Sequence, residues 1–392
     1  MRTAKPLSNE QKTSLSKLVN QTKTKSSIGL IGPVLPFRGG IAQHTTMLHR
    51  SLRSQTDLCT ISFKRQYPRY LYPGKSDRDP EYQGYTEAGV HYVIDSINPF
   101  TWTKACRILL ARTPNLIIIV WCTFFGAPYL GFMARYFRKR GIQVIFLCHN
   151  VKDHEAVFWK VGLSRMALVK GSTFLVHTNS EKARLCQLVP GAQVTVHSHP
   201  VYHQFPSAKK KMPHRARLEL LFFGFVRHYK GLDILLGAMR LLEKEDIFLT
   251  IAGEWWGENA ILRELMNNER LMAKIEVIDR YVSEQEAAEY LYRADLVVLP
   301  YRSATGSGVI PLAYHYGKPV IASRISGIEE VVIDGVSGRL FESESPYALA
   351  EVIREFLNVP PERMREGVQK TADKMTWESL ATCILNLQDN AG

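Results

Sequence analysis

Short apolar runs punctuate the chain from residue 28 onward: IGLIGPV at 28–34, DLCTISF at 57–63, LIIIVWC at 116–122, QVIFLCH at 143–149, TFLVHT at 173–178 and QVTVHS at 193–198. They are short and rich in β-branched residues, and so read as strands, the most apolar of them buried on both faces. Longer mixed stretches separate several of them, among them QHTTMLHRSL at 43–52 and PYLGFMARYFRKRG at 128–141. Strands alternating with helix-like segments predict a parallel sheet with crossover helices.

The rhythm breaks at 200–216, PVYHQFPSAKKKMPHRA, where three prolines and a lysine triplet mark a linker. It then restarts with strand-like runs at 218–224, 247–253, 275–279, 296–301 and 319–323, separated by helix-like stretches at 232–245, 260–274, 284–294 and 309–317. The expected fold is α/β: two Rossmann-like doubly wound domains facing across a cleft. The boundaries read as a flexible basic arm over 1–26, a first domain over 27–199, the linker, a second domain over 217–375, and a C-terminal helix over 376–392 packing back on the first domain. In such folds ligands lie beyond the carboxyl ends of the strands.

A length of 392 residues, 45% apolar and 22% charged, suits two folded domains. The charge is uneven. Residues 1–213 carry 30 Lys and Arg against 10 Asp and Glu, a net +20, while the rest carries 20 against 27, a net −7. A first domain this positive points to an anionic partner, such as a membrane surface or a lipid-phosphate acceptor. No aromatic-basic reader motif accompanies it, so nucleic acid is not expected.

The 22 residues at 113–134 contain no charge, but Gly126 and Pro128 split them, and they read as strand, loop and helix start rather than a membrane span. The six cysteines form no C-x-x-C and suggest reduced core thiols. With no apolar leader core at the start, the expected location is cytoplasmic, peripheral on the inner face of a membrane.

Candidate chemistry lies in the loops after strands. Gly39 and Gly40 precede a helix, and paired glycines there let a phosphate approach the backbone. Arg227 and Lys230 follow the first strand of the second domain and suit a diphosphate, with a bidentate and a point-charge contact respectively. Ser307, Gly308 and Val309 offer amides at a helix start, and Ser307 adds a hydroxyl. Capping turns and a solvated cation pair explain the same residues without a ligand. His149 ends a strand and can serve as a base or position a ligand, or can bond its own loop. His197, His199 and His203 lack an accompanying carboxylate or thiol, and Asp77-Arg-Asp79 lies in a charged loop, so no metal site is expected from either.

GGIAQHT at 39–45, HNVKDHE at 149–155, HPVYHQF at 199–205, FGFVRHYKGLD at 223–233, IAGEWW at 251–256, ADLVVLPY at 294–301 and GKPVIASRISGIEEVVIDGVSG at 317–338 occur in order. This series resembles the family-4 retaining glycosyltransferases of GT-B fold. The resemblance implies transfer of a sugar from a nucleotide diphosphate sugar to an acceptor, here a lipid-linked or glycan precursor, with no cofactor and no bound metal. It further implies that Arg227 and Lys230 hold the donor diphosphate, that Gly40 approaches the phosphates, that His149 faces the cleft, and that the amides after Gly308 contribute.

One feature of that family is missing. Its pair of glutamates falls at Ala304 and Leu312, counted back from Gly317. A branch carrying R-x-Y-K-G with S-G-V matches Arg227–Gly231 and Ser307–Val309. Donor hydroxyls then fall to other groups such as Glu254 or Glu258. A catalytically inactive nucleotide-binding partner or scaffold is the alternative reading.

Overall fold

The computed structural model describes residues 27–68, 76–151, 158–255 and 268–389. The arm over 1–26, His154, Glu155, Glu258 and most of the helix expected over 260–274 lie outside them.

In the first domain β1 (Ser27–Ile31), β2 (Asp57–Arg65), β3 (Val90–Asp95), β4 (Leu116–Trp121), β5 (Gln143–Cys148), β6 (Thr173–Val176) and β7 (Gln193–Val196) form one parallel sheet in the order β3-β2-β1-β4-β5-β6-β7. Its helices are α1 (Gly40–Gln55), α2 (Pro99–Leu110), α3 (Ala127–Arg138), α4 (Phe158–Leu168) and α5 (Asn179–Leu188). The central runs are wholly buried, as in β4, whose six residues are all inside. β3 was not legible as a strand, because only Ile94 of its six residues is fully buried.

The second sheet joins β8 (Leu218–Phe223), β9 (Ile247–Ala252), β10 (Ile275–Ile278), β11 (Leu296–Leu299), β12 (Val320–Ser323) and β13 (Gly338–Phe341) in the order β10-β9-β8-β11-β12-β13. Around it lie α6 (Leu232–Leu241), α7 (Glu269–Met272), α8 (Glu284–Arg293), α9 (Val309–His315), α10 (Pro346–Asn358) and α11 (Arg365–Ala372), and α12 (Trp377–Asp389) follows. In both sheets the strand order reverses beside the first strand, at β1/β4 and β8/β11. That is where a crevice opens at the strand ends.

Local chemistry sets the helix starts. Asn98 accepts from the Phe100 amide ahead of Pro99 in α2, and Ser283 with Glu286 forms a full capping box on α8. The uncharged stretch over 113–134 becomes β4, a short 3-10 turn (Phe124–Gly126) and α3. No helix among the described residues is long and apolar enough to cross a membrane.

The chain crosses between the domains twice, and the crossings are tied together. Val201 donates its amide to the Met375 carbonyl at 2.8 Å, and the Trp377 indole donates to the Val201 carbonyl at 2.8 Å. Tyr202, Phe205, Ile310, Tyr314 and Trp377 belong to one apolar cluster that continues from Leu48 of the first domain to Val297 of the second. Beyond the crossing α12 packs on α1; Ser51 donates to the Trp377 carbonyl and Gln143 to that of Leu387. Trp377→Ala removes a buried indole and its bond to the linker, and is expected to lower stability by about 3–5 kcal/mol in urea unfolding followed by circular dichroism.

Candidate functional site

The loop after β8 is shaped by a close backbone approach. A Cβ at Gly231 (φ +64°) would lie 1.9 Å from the Pro300 carbonyl oxygen, so the turn carrying Lys230 is pressed against the end of β11. Arg302 clamps that turn by donating to the His228 carbonyl at 3.0 Å and pairing with both Asp233 oxygens at 2.8 and 2.5 Å. Lys230, 8% exposed, therefore reaches back into the protein: its Nζ lies 5.6 Å from the Tyr301 ring centre and would be 3.0 Å from a Cβ on Gly224. Among the described residues no carboxylate pairs with it. Burial, then the charge of Arg227, depress its ammonium pKa to about 8.

Loops from the first domain meet this region. Thr305 donates its hydroxyl to Asn150, next to His149, at 2.5 Å, and its carbonyl accepts from Thr178 at 3.1 Å. Glu330 accepts from the amides of Asn179 and Ser180 at the start of α5. The Tyr202 hydroxyl lies 3.5 Å from the Gly40 carbonyl, and would be 3.4 Å from a Cβ at Gly308. Gly40 and Gly308 thus flank one hydroxyl across the cleft, while Gly39 (φ +98°) has open space where a side chain would stand. Val309 donates its amide to the Ser307 hydroxyl at 3.2 Å, so these two satisfy each other within the loop.

Carboxylates are arranged differently from the usual pattern of the resembled family. Ala304 and Leu312 are 3% and 4% exposed and lie in the apolar cluster, where an ionised glutamate would be costly. Glu254 sits after β9 and pairs across the cleft with Arg38 at 2.5 Å; the Arg38 guanidinium stacks over Tyr281 at 4.4 Å. Nearby, Glu284 accepts from Gln43 and Tyr82, and Asp79 accepts from the Tyr281 hydroxyl. Glu254 is therefore engaged with Arg38 rather than standing open.

His149 closes β5 by donating its amide to the Trp121 carbonyl at 2.9 Å. Its ring meets those of His44, His177 and His199, with centres 4.4, 5.2 and 6.4 Å away. Burial, then the neighbouring His199, hold its pKa down to about 3, so the ring is neutral at pH 7. Sequence reading singled out neither His44 nor His177. The spacing GGIAQH did hold a signal, since His44 lies four residues after Gly40, one helical turn into α1.

A cavity of about 530 Å³ lined by Arg53, Asp57, His91 and Arg112 sits at the amino ends of β2 and β3, at the opposite end of the sheet from these loops.

Comparison with known proteins decides the kinship of the second domain. Residues 205–375 match the family model described as glycosyl transferases group 1. This stretch of the second domain is similar to the group 1 glycosyl transferases. Relatives of the chain include a D-inositol 3-phosphate glycosyltransferase of Xylanimonas cellulosilytica, 30% identical over 179 residues, 44% of this chain and 42% of that protein. Another, D-inositol 3-phosphate glycosyltransferase 1 of Catenulispora acidiphila, is 26% identical over 286 residues, 65% of this chain and 68% of that one. With most of these relatives the chain matches about half of their length. The fold of both domains together is GT-B. HepE of Anabaena, solved with UDP-glucose, superimposes with a TM-score of 0.69 at 13% identity, covering 93% of this chain and 99% of that one. Sucrose-phosphate synthase of Thermosynechococcus elongatus gives 0.68 at 17% identity, with 94% and 99% covered.

The Arg38–Glu254 pair is the clearest charged tie across this cleft. Arg38→Ala leaves Glu254 uncompensated and is expected to cost about 1–3 kcal/mol of stability, read as a lower urea midpoint.

Proposed function

We propose that the protein is a retaining, metal-independent glycosyltransferase that moves a sugar from a nucleotide diphosphate sugar to a lipid-linked or glycan-precursor acceptor at an anionic membrane surface. The observation that carries this reading is Lys230: a buried cation without a carboxylate partner among the described residues, at the mouth between two GT-B domains. An unpaired buried ammonium is costly, and a diphosphate would offset that cost. As the bond from the sugar to the diphosphate breaks, negative charge grows on the leaving phosphate. Lys230 and Arg227, fixed before the donor arrives, would stabilise that charge more in the transition state than in the ground state.

Gly39 and Gly40 would admit the phosphates to the backbone from the first-domain side, with Ser307, Gly308 and Val309 bounding the donor from the second. His149, neutral at pH 7, would position the donor sugar rather than carry charge. HepE, a neighbour in fold, is solved with UDP and with UDP-glucose, which supports a nucleotide sugar donor. Relatives named for inositol 3-phosphate support an anionic acceptor, in keeping with the positive first domain.

The membrane part of the reading draws on α2, α3 and α4, which pack side by side. They expose Phe100, Phe132, Trp159 and Met166 beside Lys104, Arg107, Arg135 and Arg165. Aromatic residues mixed with cations suit a headgroup layer.

Three measurements test the proposal. Thermal shift against UDP, GDP, ADP and dTDP and their common sugars, in EDTA, should single out one nucleotide; binding of that nucleotide with no transfer to any acceptor overturns the transferase reading. Lys230→Ala should lower turnover by about 100- to 1,000-fold, and the Lys230 ammonium, protonated below about pH 8, should make nucleotide affinity fall as pH rises through that value in the wild type but not in the variant. Sedimentation with anionic vesicles should weaken as salt is added; salt-independent or absent binding removes the membrane surface from the proposal.

A further inference from the structure

Four imidazoles crowd together beneath the cleft, and the proposed transfer chemistry calls on His149 alone. His44 comes from α1, His149 from the end of β5, His177 from the end of β6 and His199 from the linker approach. The hydrogen bonds divide them into two kinds. His199 is partnered at both nitrogens, by the Pro200 carbonyl at 2.8 Å and the Tyr202 hydroxyl at 3.2 Å. The other three are not: both nitrogens of His44 and Nε2 of His149 and of His177 are buried with no hydrogen-bond partner. One nitrogen from each of the three lies within 4.8 Å of the others.

Buried polar atoms in native proteins nearly always have a partner, so unpaired nitrogens grouped this closely call for a common one. The geometry suits a metal ion. A tetrahedral ion with metal–nitrogen bonds of about 2.0–2.1 Å would space the centres of its imidazole ligands by about 5 Å and their nitrogens by about 3.4 Å, so binding draws together nitrogens that now lie within 4.8 Å of one another. Here the centres are 4.4 Å (His44–His149), 5.1 Å (His44–His177) and 5.2 Å (His149–His177) apart.

We infer that His44, His149 and His177 form a binding site for one divalent transition-metal ion of the zinc class, with a fourth position left to water or an exogenous ligand. The outer shell fits. His177 directs Nδ1 at the His197 carbonyl at 2.9 Å, which fixes the proton there and leaves the Nε2 lone pair for the ion. Trp377, 4.8 Å from His44 between ring centres, forms an apolar wall. Neutral imidazole is the binding form, and burial keeps all three rings neutral at pH 7. The ion would take no part in sugar transfer. Because His149 is shared, an ion at this site and a donor contact through His149 would exclude each other, so zinc would inhibit reversibly; that consequence alone rests on the transfer reading.

The test uses untagged, full-length protein stripped with chelator and dialysed. Isothermal titration with Zn²⁺ should show one ion per chain at a dissociation constant on the order of micromolar or tighter, and Co²⁺ should give the visible absorption of a four-coordinate site with nitrogen ligands. His44→Gln and His177→Gln should each weaken zinc binding by more than about tenfold, since even outer-shell losses cost that much, whereas His91→Gln on the surface should change nothing. The inference is overturned if stripped wild-type protein takes up no stoichiometric Zn²⁺ and gives no Co²⁺ spectrum. It is equally overturned if folded His44→Gln and His177→Gln proteins bind like wild type, and the Co²⁺ spectrum decides the matter should either variant fail to fold.

Discussion

Everything at the cleft depends on two hydrogen bonds at the crossing point of the chain. The linker entering the second domain and the segment leaving it pass each other once, and Val201 is bonded to both Met375 and Trp377 there. A single covalent linker would leave two sheets free to swivel. Tying the outward and return strands of chain together, inside an apolar cluster that includes Tyr202 and Trp377, removes most of that freedom. The Tyr202 hydroxyl lies one residue from this tie, so the separation of Gly40 and Gly308 is set by the crossing itself. The loops after β1, β5, β6, β8 and β11 then meet without any of them needing to be rigid alone.

The second feature is how charge is distributed around the cleft. With alanine and leucine at 304 and 312, the apolar cluster runs up to the loop that meets Asn150 and Thr178. Negative charge is moved outward, to Glu254 under Arg38 and to Glu284 among Gln43 and Tyr82. Positive charge stays inside, on Lys230. A low-dielectric pocket with one sign of charge attracts an anion more strongly than a balanced pocket would. The same burial depresses the lysine pKa to about 8, close to where the residue would begin to lose the charge it is needed for.

Much of the architecture was legible because its strands are buried on both faces and so read as unbroken apolar runs. β4 and β5 could hardly be anything else. Edge strands were harder: β3 is mostly half-exposed and β13 spans only Gly338–Phe341, so neither carries a clear pattern. The candidate site divides in the same way. Lys230 and Gly40 stand out because they follow strands and sit next to helix starts, which is a local signature. The histidine cluster as a whole has none, although His149 ends a strand and His44 lies one helical turn after Gly40. Its members at 44, 149, 177 and 199 come from four separate segments, and only the order of strands in the sheet brings them together. The engagement of Glu254 with Arg38 is also a tertiary fact, formed between residues more than two hundred positions apart.

The position of α12 bears on how the molecule is made. This helix covers α1 and the edge of β5, yet it is synthesised after the whole of the second domain. On the ribosome the first domain therefore emerges with Leu48 and Leu52 lacking part of their final cover, and must wait for α12 to be translated. A nascent chain stalled before residue 377 would present the exposed face to chaperones.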